Sequence, residues 1–94
     1  MKEHKIKILV DFADDVWTGE KNFEIRENDR GYQKGDLVKF VVVDNRGYEV
    51  NHPLNVWKDH IFEITYVLNG WGLKNGFVVF GIREVMTQIK EEEK

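Results

Sequence analysis

Three charged side chains, Lys21, Glu24 and Arg26, lie close together in the sequence and are the first candidates for chemistry. Apolar and polar residues alternate from Asn22 to Glu27, which predicts a β-strand. On such a strand Glu24 and Arg26 share one face, and Lys21 lies at the turn before it. The two cations donate hydrogen bonds and the carboxylate accepts them, so the group could hold a nucleobase edge and a phosphate or ribose. The alternative is a solvated strand face whose salt bridge contributes at most about 1 kcal/mol.

The polar loop that follows this strand contains a further cation. Arg30 could clamp a phosphate at the mouth of a cleft, or it could belong to a solvated loop, and the sequence leaves both interpretations open. For Asn28 and Asp29 we favour an Asx-turn, in which short polar side chains accept hydrogen bonds from nearby backbone N–H groups.

A glycine-rich loop near the C-terminus carries Trp71, between Gly70 and Gly72, with Lys74 close by. A tryptophan in such a loop could stack on a base, which contributes about 1–3 kcal/mol. The alternative is a lid that packs over an open end of the fold, and the two roles are compatible. Trp57 lies in a weakly patterned segment, where we expect it to be exposed, and we assign it no role.

His4, His52 and His60 are scattered, and the chain has no cysteine. Zinc sites need three or four ligands at restrained spacings, so we predict no metal site. We expect His52 and His60 to be structural. The glycine and serine motifs of nucleotide-phosphate loops and of hydrolase elbows do not occur, and we predict no cofactor.

Length and composition limit the architecture to one domain. The 94 residues are 41% hydrophobic and 33% charged, with a net charge of −3. This charge argues against broad, non-specific binding to long nucleic acids, although a small pocket needs only a few local cations. We see neither an apolar stretch of about 20 residues nor a signal peptide, so we expect a cytoplasmic protein without a membrane segment. The core should span about residues 4–85, followed by a charged tail over residues 86–94.

The elements that position the candidate residues are mostly strands. Residues 6–10, 37–43, 60–68 and 77–85 read as strands, and residues 48–50 as a weak one. Asp11 is a candidate N-cap for a short helix that ends at Gly19, and the apolar face of that helix should bury Trp17. In the strand from Asn22 to Glu27, we expect Phe23 and Ile25 to face the core. These patterns predict a mainly β (α+β) fold, a mostly antiparallel barrel of five to six strands with one short flanking helix. We expect no helix that would connect parallel strands.

Gly19, Lys21, Glu24 and Arg26 also fit the G-x-K-x-x-E-x-R signature of ASCH domains, which belong to the PUA-like superfamily of small RNA-associated barrels. The chain resembles most closely the DUF3850 family, an ASCH-like family from bacteria and phages. The positions that carry this resemblance are His4, residues 5–8, 23–26, 28–31, 35–36, 72–74 and 76–79. The resemblance runs from about residue 4 to residue 85. It implies a PUA-like barrel that binds RNA or a modified nucleoside, and it places His4 at the cleft.

Two other functions stay open. Some ASCH relatives are amidohydrolases that remove an acyl group from N4-acetylcytidine, and they carry a lysine and a threonine in the stretch corresponding to Lys21 and Glu24. In such an enzyme Lys21 would act as the base and Glu24 would shuttle the proton, but Glu24 lacks the hydroxyl of the threonine. The third possibility is a phage or accessory protein that acts through a protein partner. The leading prediction is a binding module that uses Lys21, Glu24, Arg26, Arg30, Trp71, Lys74 and His4.

Overall fold

The computed structural model describes residues 1–57 and 60–85. The expected charged tail over residues 86–94 lies outside the described residues. Five strands and two helices confirm a mainly β fold. They are β1 (Glu3–Leu9), α1 (Val10–Thr18), β2 (Phe23–Glu27), β3 (Leu37–Val43), α2 (Pro53–Val56), β4 (Ile61–Asn69) and β5 (Phe77–Val85).

The five strands form one mixed sheet in the order β1-β3-β4-β5-β2. Three of the four pairings are antiparallel, as predicted, but β1 pairs with β3 in parallel. Our expectation that no helix would connect parallel strands was therefore wrong, since α1 lies in the connection from β1 to β3. The sheet is open rather than a closed barrel, because β1 and β2 are its edges and no backbone ladder joins them.

Alternation along the strands builds the core on one face of the sheet. On β1 this face carries Ile6 and Ile8, and on β3 it carries Val38, Phe40 and Val42, each with less than a twentieth of its surface exposed. Burying side chains of this size stabilises the fold by roughly 1.5–3 kcal/mol each. The remaining buried apolar side chains among the described residues are Ala13, Val16, Tyr32, Val43, Leu54, Phe62, Ile64, Val78, Phe80 and Ile82.

Helix α1 ends as predicted and begins differently. Gly19 takes the left-handed conformation (φ +88°) and donates its N–H to the Val16 carbonyl, which closes the last turn. At the other end Leu9 is the N-cap and no side chain caps the helix, so the assignment of Asp11 was wrong. Asp11 lies in the first turn instead, where the helix dipole favours its charge.

The burial predicted for Trp17 was also wrong. Trp17 is 39% exposed, and its indole packs at 4.8 Å from the ring of His60. The helix has only two fully buried side chains, Ala13 and Val16, because it covers the sheet along a narrow stripe. Trp17 therefore lies at the margin of the core.

The segment between β3 and β4 contains a second short helix that we did not predict. Its N-cap is His52, whose Nδ1 accepts from the Leu54 N–H at 3.1 Å, and Pro53 occupies the first turn. The strand expected over residues 48–50 is reduced to one isolated bridge between Val43 and Glu49.

Candidate functional site

The two edge strands of the sheet, β1 and β2, are linked by side chains, and we call this junction the β1–β2 seam. Arg26 on β2 donates from Nη2 to the Lys7 carbonyl at 2.7 Å, and Arg30 donates from Nη1 to the Lys5 carbonyl at 2.7 Å. The Lys2 carbonyl accepts from β3, so the odd-numbered residues of β1 direct their carbonyls away from the sheet. The two guanidinium groups satisfy acceptors that would otherwise form an open sheet edge.

Strand β2 is turned the opposite way from our prediction. Its register with β5 confirms that Glu24 and Arg26 share a face, but this is the inner face, and Glu24 is only 3% exposed. Phe23 and Ile25, which we expected in the core, are 43% and 53% exposed. The alternation of apolar and polar residues identifies the two faces of the strand but not which of them is buried. Here the charged face is buried, because Lys21 and Arg26 neutralise the carboxylate of Glu24.

Lys21, Glu24 and Arg26 form one hydrogen-bonded cluster. Glu24 accepts from the Arg26 Nε at 2.9 Å through Oε1 and from the Lys21 ammonium through Oε2. Lys21 also donates to the Phe23 carbonyl at 2.8 Å. A carboxylate has about four acceptor positions, so each oxygen of Glu24 retains capacity for a further donor. The cluster holds two cations around one carboxylate, so it carries a net positive charge, and Glu24 keeps open acceptor positions within it.

This cluster lines a cleft of about 460 Å³ along the seam, which we call the β1–β2 cleft. Phe12 of α1, Phe23 of β2 and Phe77 of β5 contribute aromatic walls. The Lys21 ammonium lies 5.9 Å from the Phe12 ring centroid and 5.1 Å from that of Phe23, within cation–π range. The volume lies within the usual range of about 300–1,000 Å³ for small-molecule sites.

Arg30 and Lys74 lie beside the cleft rather than in it. Arg30 reaches the seam through its bond to Lys5. The Lys74 ammonium lies 5.7 Å from the ring centroid of Phe77, and both residues line a neighbouring cavity of about 530 Å³. Phe77 lines both cavities, so Lys74 is one side chain away from the cleft.

Trp71 is 88% exposed, so it covers no part of the core and the predicted lid was wrong. Its backbone takes φ +50°, a conformation that favours glycine. A stacking role for its ring stays a prediction.

His4 does not lie at the cleft, contrary to the expectation from the resemblance. It is 5% exposed at the start of β1, with Nε2 at 2.8 Å from Asp36 Oδ2 and its ring 4.8 Å from that of Tyr32. Burial raises the pKa of Asp36, but the bond to His4 and two backbone N–H bonds, from Lys2 and Gln33, outweigh it. The pKa of Asp36 therefore lies below its usual value, and His4 has a structural role there.

The other two histidines are also paired with one carboxylate each. His52 Nε2 lies 2.9 Å from Asp14, and His60 Nε2 lies 3.3 Å from Glu84. Burial lowers the pKa of His60. Within residues 1–57 and 60–85, no three His, Asp or Glu side chains converge as a metal site would require. The same residues contain no helix long and apolar enough to cross a membrane.

Sequence reasoning missed the aromatic walls and the contribution of β1. Phe23 was assigned to the core because it fits an apolar alternation, and neither Phe12 nor Phe77 was placed at the site. The carbonyl of Lys7 carries no sequence signal, since any residue offers the same group. Of the loop residues, Asn28 holds the loop backbone, since its Oδ1 accepts from the Tyr32 N–H at 3.1 Å, but this bond spans four residues rather than the two of the predicted Asx-turn.

A family model matches most of the chain. The family model described as "Domain of unknown function (DUF3850)" matches residues 3–82, which cover every residue of the β1–β2 cleft. No curated protein matches the chain.

Proposed function

Because the chain belongs to the DUF3850 family, whose description assigns no function, we propose a function from the β1–β2 cleft itself: the protein binds RNA, or a nucleotide derived from RNA, and takes one base into the cleft. The observation that carries the proposal is a buried carboxylate with open acceptor positions, Glu24, in an aromatic-walled cavity.

Glu24 supplies base recognition in this proposal. A carboxylate accepts from exocyclic amines such as N4 of cytosine. Arg26 and Lys21 hold the Glu24 carboxylate in position through hydrogen bonds, so its free lone pairs are aimed before a ligand arrives. Bases that carry an exocyclic amine should therefore bind better than uracil.

The aromatic walls of the cleft contribute affinity that does not depend on which base is bound. Phe12, Phe23 and Phe77 offer faces or edges against which a planar base can pack, at about 1–3 kcal/mol per stacked base. The Lys21 ammonium, held beside two of these rings, can balance the charge of a nearby phosphate. A PUA-like classification fits this proposal, although the sheet in this chain is open.

The contacts favour binding over the amidohydrolase alternative. A lysine that acts as a general base must reach the proton that it removes, but the Nζ of Lys21 is engaged as a donor to both Glu24 and the Phe23 carbonyl. We expect no absorbance change when the protein is incubated with N4-acetylcytidine. The protein-partner alternative rests on Trp57, which is 62% exposed, as predicted.

Calorimetric titration with the four ribonucleoside 5′-monophosphates tests the proposed function. We expect CMP, AMP or GMP to bind more tightly than UMP. Glu24→Gln should weaken binding of the preferred monophosphate by about tenfold or more, because a charge-assisted hydrogen bond contributes about 1.5–3 kcal/mol. It should also reduce discrimination against UMP.

Glu63→Gln is the matched control. Glu63 is also a strand glutamate paired with an arginine, Arg83, but it lies on β4 and does not line the cleft. This variant should bind like the parent protein. The proposal fails if no monophosphate binds, or if the two Gln variants lose the same affinity. In the first case a protein partner that contacts Trp57 becomes the candidate.

A further inference from the structure

A second groove borders the β1–β2 seam, and most of its lining is cationic. It has a volume of about 410 Å³, and we call it the cationic groove. Its lining residues are Lys5, Lys7, Arg26, Arg30, Val41 and Glu49. Four of these six are cations in a chain whose net charge is −3, so positive charge is concentrated at this seam.

Three of the four cations of the groove, Lys5, Lys7 and Arg30, are available for an anion. Lys5 and Lys7 are exposed and lie two residues apart on β1, so their side chains project from the same face of the strand. Among the residues that the structure describes, no carboxylate forms an ion pair with Lys5, Lys7 or Arg30. Arg30 uses Nη1 on the Lys5 carbonyl and has further N–H groups to donate.

The cationic groove and the β1–β2 cleft adjoin each other. Lys7 and Arg26 line both of them, and Arg26 connects them through its bonds to Glu24 and to the Lys7 carbonyl. The two cavities differ in character, because the cleft has aromatic walls and the groove has cationic ones. A ligand that suits both has a planar base joined to more than one phosphate.

We infer that the ligand is a single-stranded polynucleotide, with one base in the cleft and the phosphates flanking that base along the cationic groove on Lys5, Lys7 and Arg30. This inference rests on the proposed function and specifies its ligand class. The base must be unpaired, because only a base that leaves the helix can enter the cleft and reach the buried carboxylate of Glu24. The row of cations exceeds what one phosphate of a free nucleotide requires.

The test compares a labelled single-stranded RNA of about eight nucleotides, within the usual site size of a small domain, with the preferred monophosphate. Fluorescence anisotropy measures the RNA affinity between about 50 and 200 mM salt. The logarithm of the affinity should fall with the logarithm of the salt concentration, with a slope of about −0.7 per neutralised phosphate. A single-stranded DNA and an RNA duplex of the same sequence are the other ligands. The single strands should bind more tightly than the duplex, and comparing RNA with DNA identifies the preferred sugar.

The informative variant is Lys5→Glu, because Lys5 lines the groove but not the cleft. It should weaken binding of the single strand by about fivefold or more, and it should make the slope of log affinity against log salt concentration less negative by about 0.7. The affinity for the monophosphate should stay within about twofold of that of the parent protein. Lys34→Glu reverses the charge of an exposed lysine in the loop between β2 and β3, and it should leave both affinities unchanged.

Three outcomes would overturn the inference while preserving the proposed function. The single strand could bind no better than the monophosphate, or the duplex could bind as well as the single strand. Lys5→Glu and Lys34→Glu could also lose the same affinity for the single strand. If the monophosphate does not bind the parent protein and the single strand does not bind either, the proposed function and the inference fail together.

Discussion

Asp36 and Glu24 are both nearly inaccessible carboxylates, 4% and 3% exposed, but they are held in different ways. Asp36 accepts from the backbone N–H groups of Lys2 and Gln33 and pairs with the buried ring of His4. Among the described residues, Glu24 is held by the side chains of Lys21 and Arg26 alone, which are 19% and 26% exposed. One carboxylate is bound mainly by fixed groups of the fold, and the other by side chains that reach solvent.

The difference separates a structural carboxylate from a candidate site. Asp36 ties the start of β1 to the loop before β3, and its donors belong to residues that cannot move without disturbing the fold. Glu24 lines a cleft, and its partners are side chains that reach solvent, so a ligand can approach this carboxylate without disturbing the backbone. Burial alone would not distinguish the two residues, whereas the identity of their donors does.

The largest expected effect on stability is that of Asp36→Ala. Removing this carboxylate leaves two backbone donors and His4 without their acceptor in a buried environment, which should lower the free energy of unfolding by about 3 kcal/mol. Urea denaturation measures the loss.

Glu24→Ala is the matched comparison. It should lower the free energy of unfolding by about half as much as Asp36→Ala does, because Lys21 and Arg26 can turn towards water when the carboxylate is removed. The comparison breaks down if Glu24→Ala destabilises the protein as much as Asp36→Ala does. In that case Glu24 would be a structural residue of the same kind.

The smaller expected effect is on acid stability. The pKa of Asp36 in the folded protein lies below 3.8, its ordinary value, so the ionised form is favoured by folding. A carboxyl group of this kind contributes its stability above its unfolded-state pKa, and the contribution is lost as the pH falls through the folded-state pKa. The loss should therefore occur below about pH 3.8.

Denaturation of the parent protein and of Asp36→Asn at successive pH values measures this contribution. The free energy of unfolding should fall more steeply for the parent below that pH, because only the parent carries a titrating group at position 36. Parallel curves for the two proteins down to about pH 2 would contradict the assignment.

The sequence predicted local features well where one signal dominated. The limits of β3 follow from a nearly continuous apolar run, those of β5 agree with the strand predicted over residues 77–85, and the end of α1 follows from Gly19. The orientation of β2 could not be predicted, because alternation does not tell which face is buried. Phe23 and Ile25 are the more hydrophobic pair, and only the ion pairs of Glu24 reverse that preference.

Other features depend on residues that are far apart in the sequence. The parallel pairing of β1 with β3 joins Glu3 to Leu37, and no local pattern encodes it. The open sheet depends on the distance between β1 and β2, which Arg26 and Arg30 span with their side chains. The candidate cluster itself was predicted because its three members are close in sequence, while the aromatic walls required the fold.

The most direct test of the central claim is to map ligand contacts by NMR. The backbone amide signals of the parent protein are followed during titration with CMP, AMP and GMP. The account predicts concentration-dependent shifts at Lys7, Phe12 and residues 23–27, with the amides around His4 and Asp36 unaffected. Shifts centred on His4 and Asp36, or no shifts with any of the three nucleotides, would contradict a nucleotide site in the β1–β2 cleft.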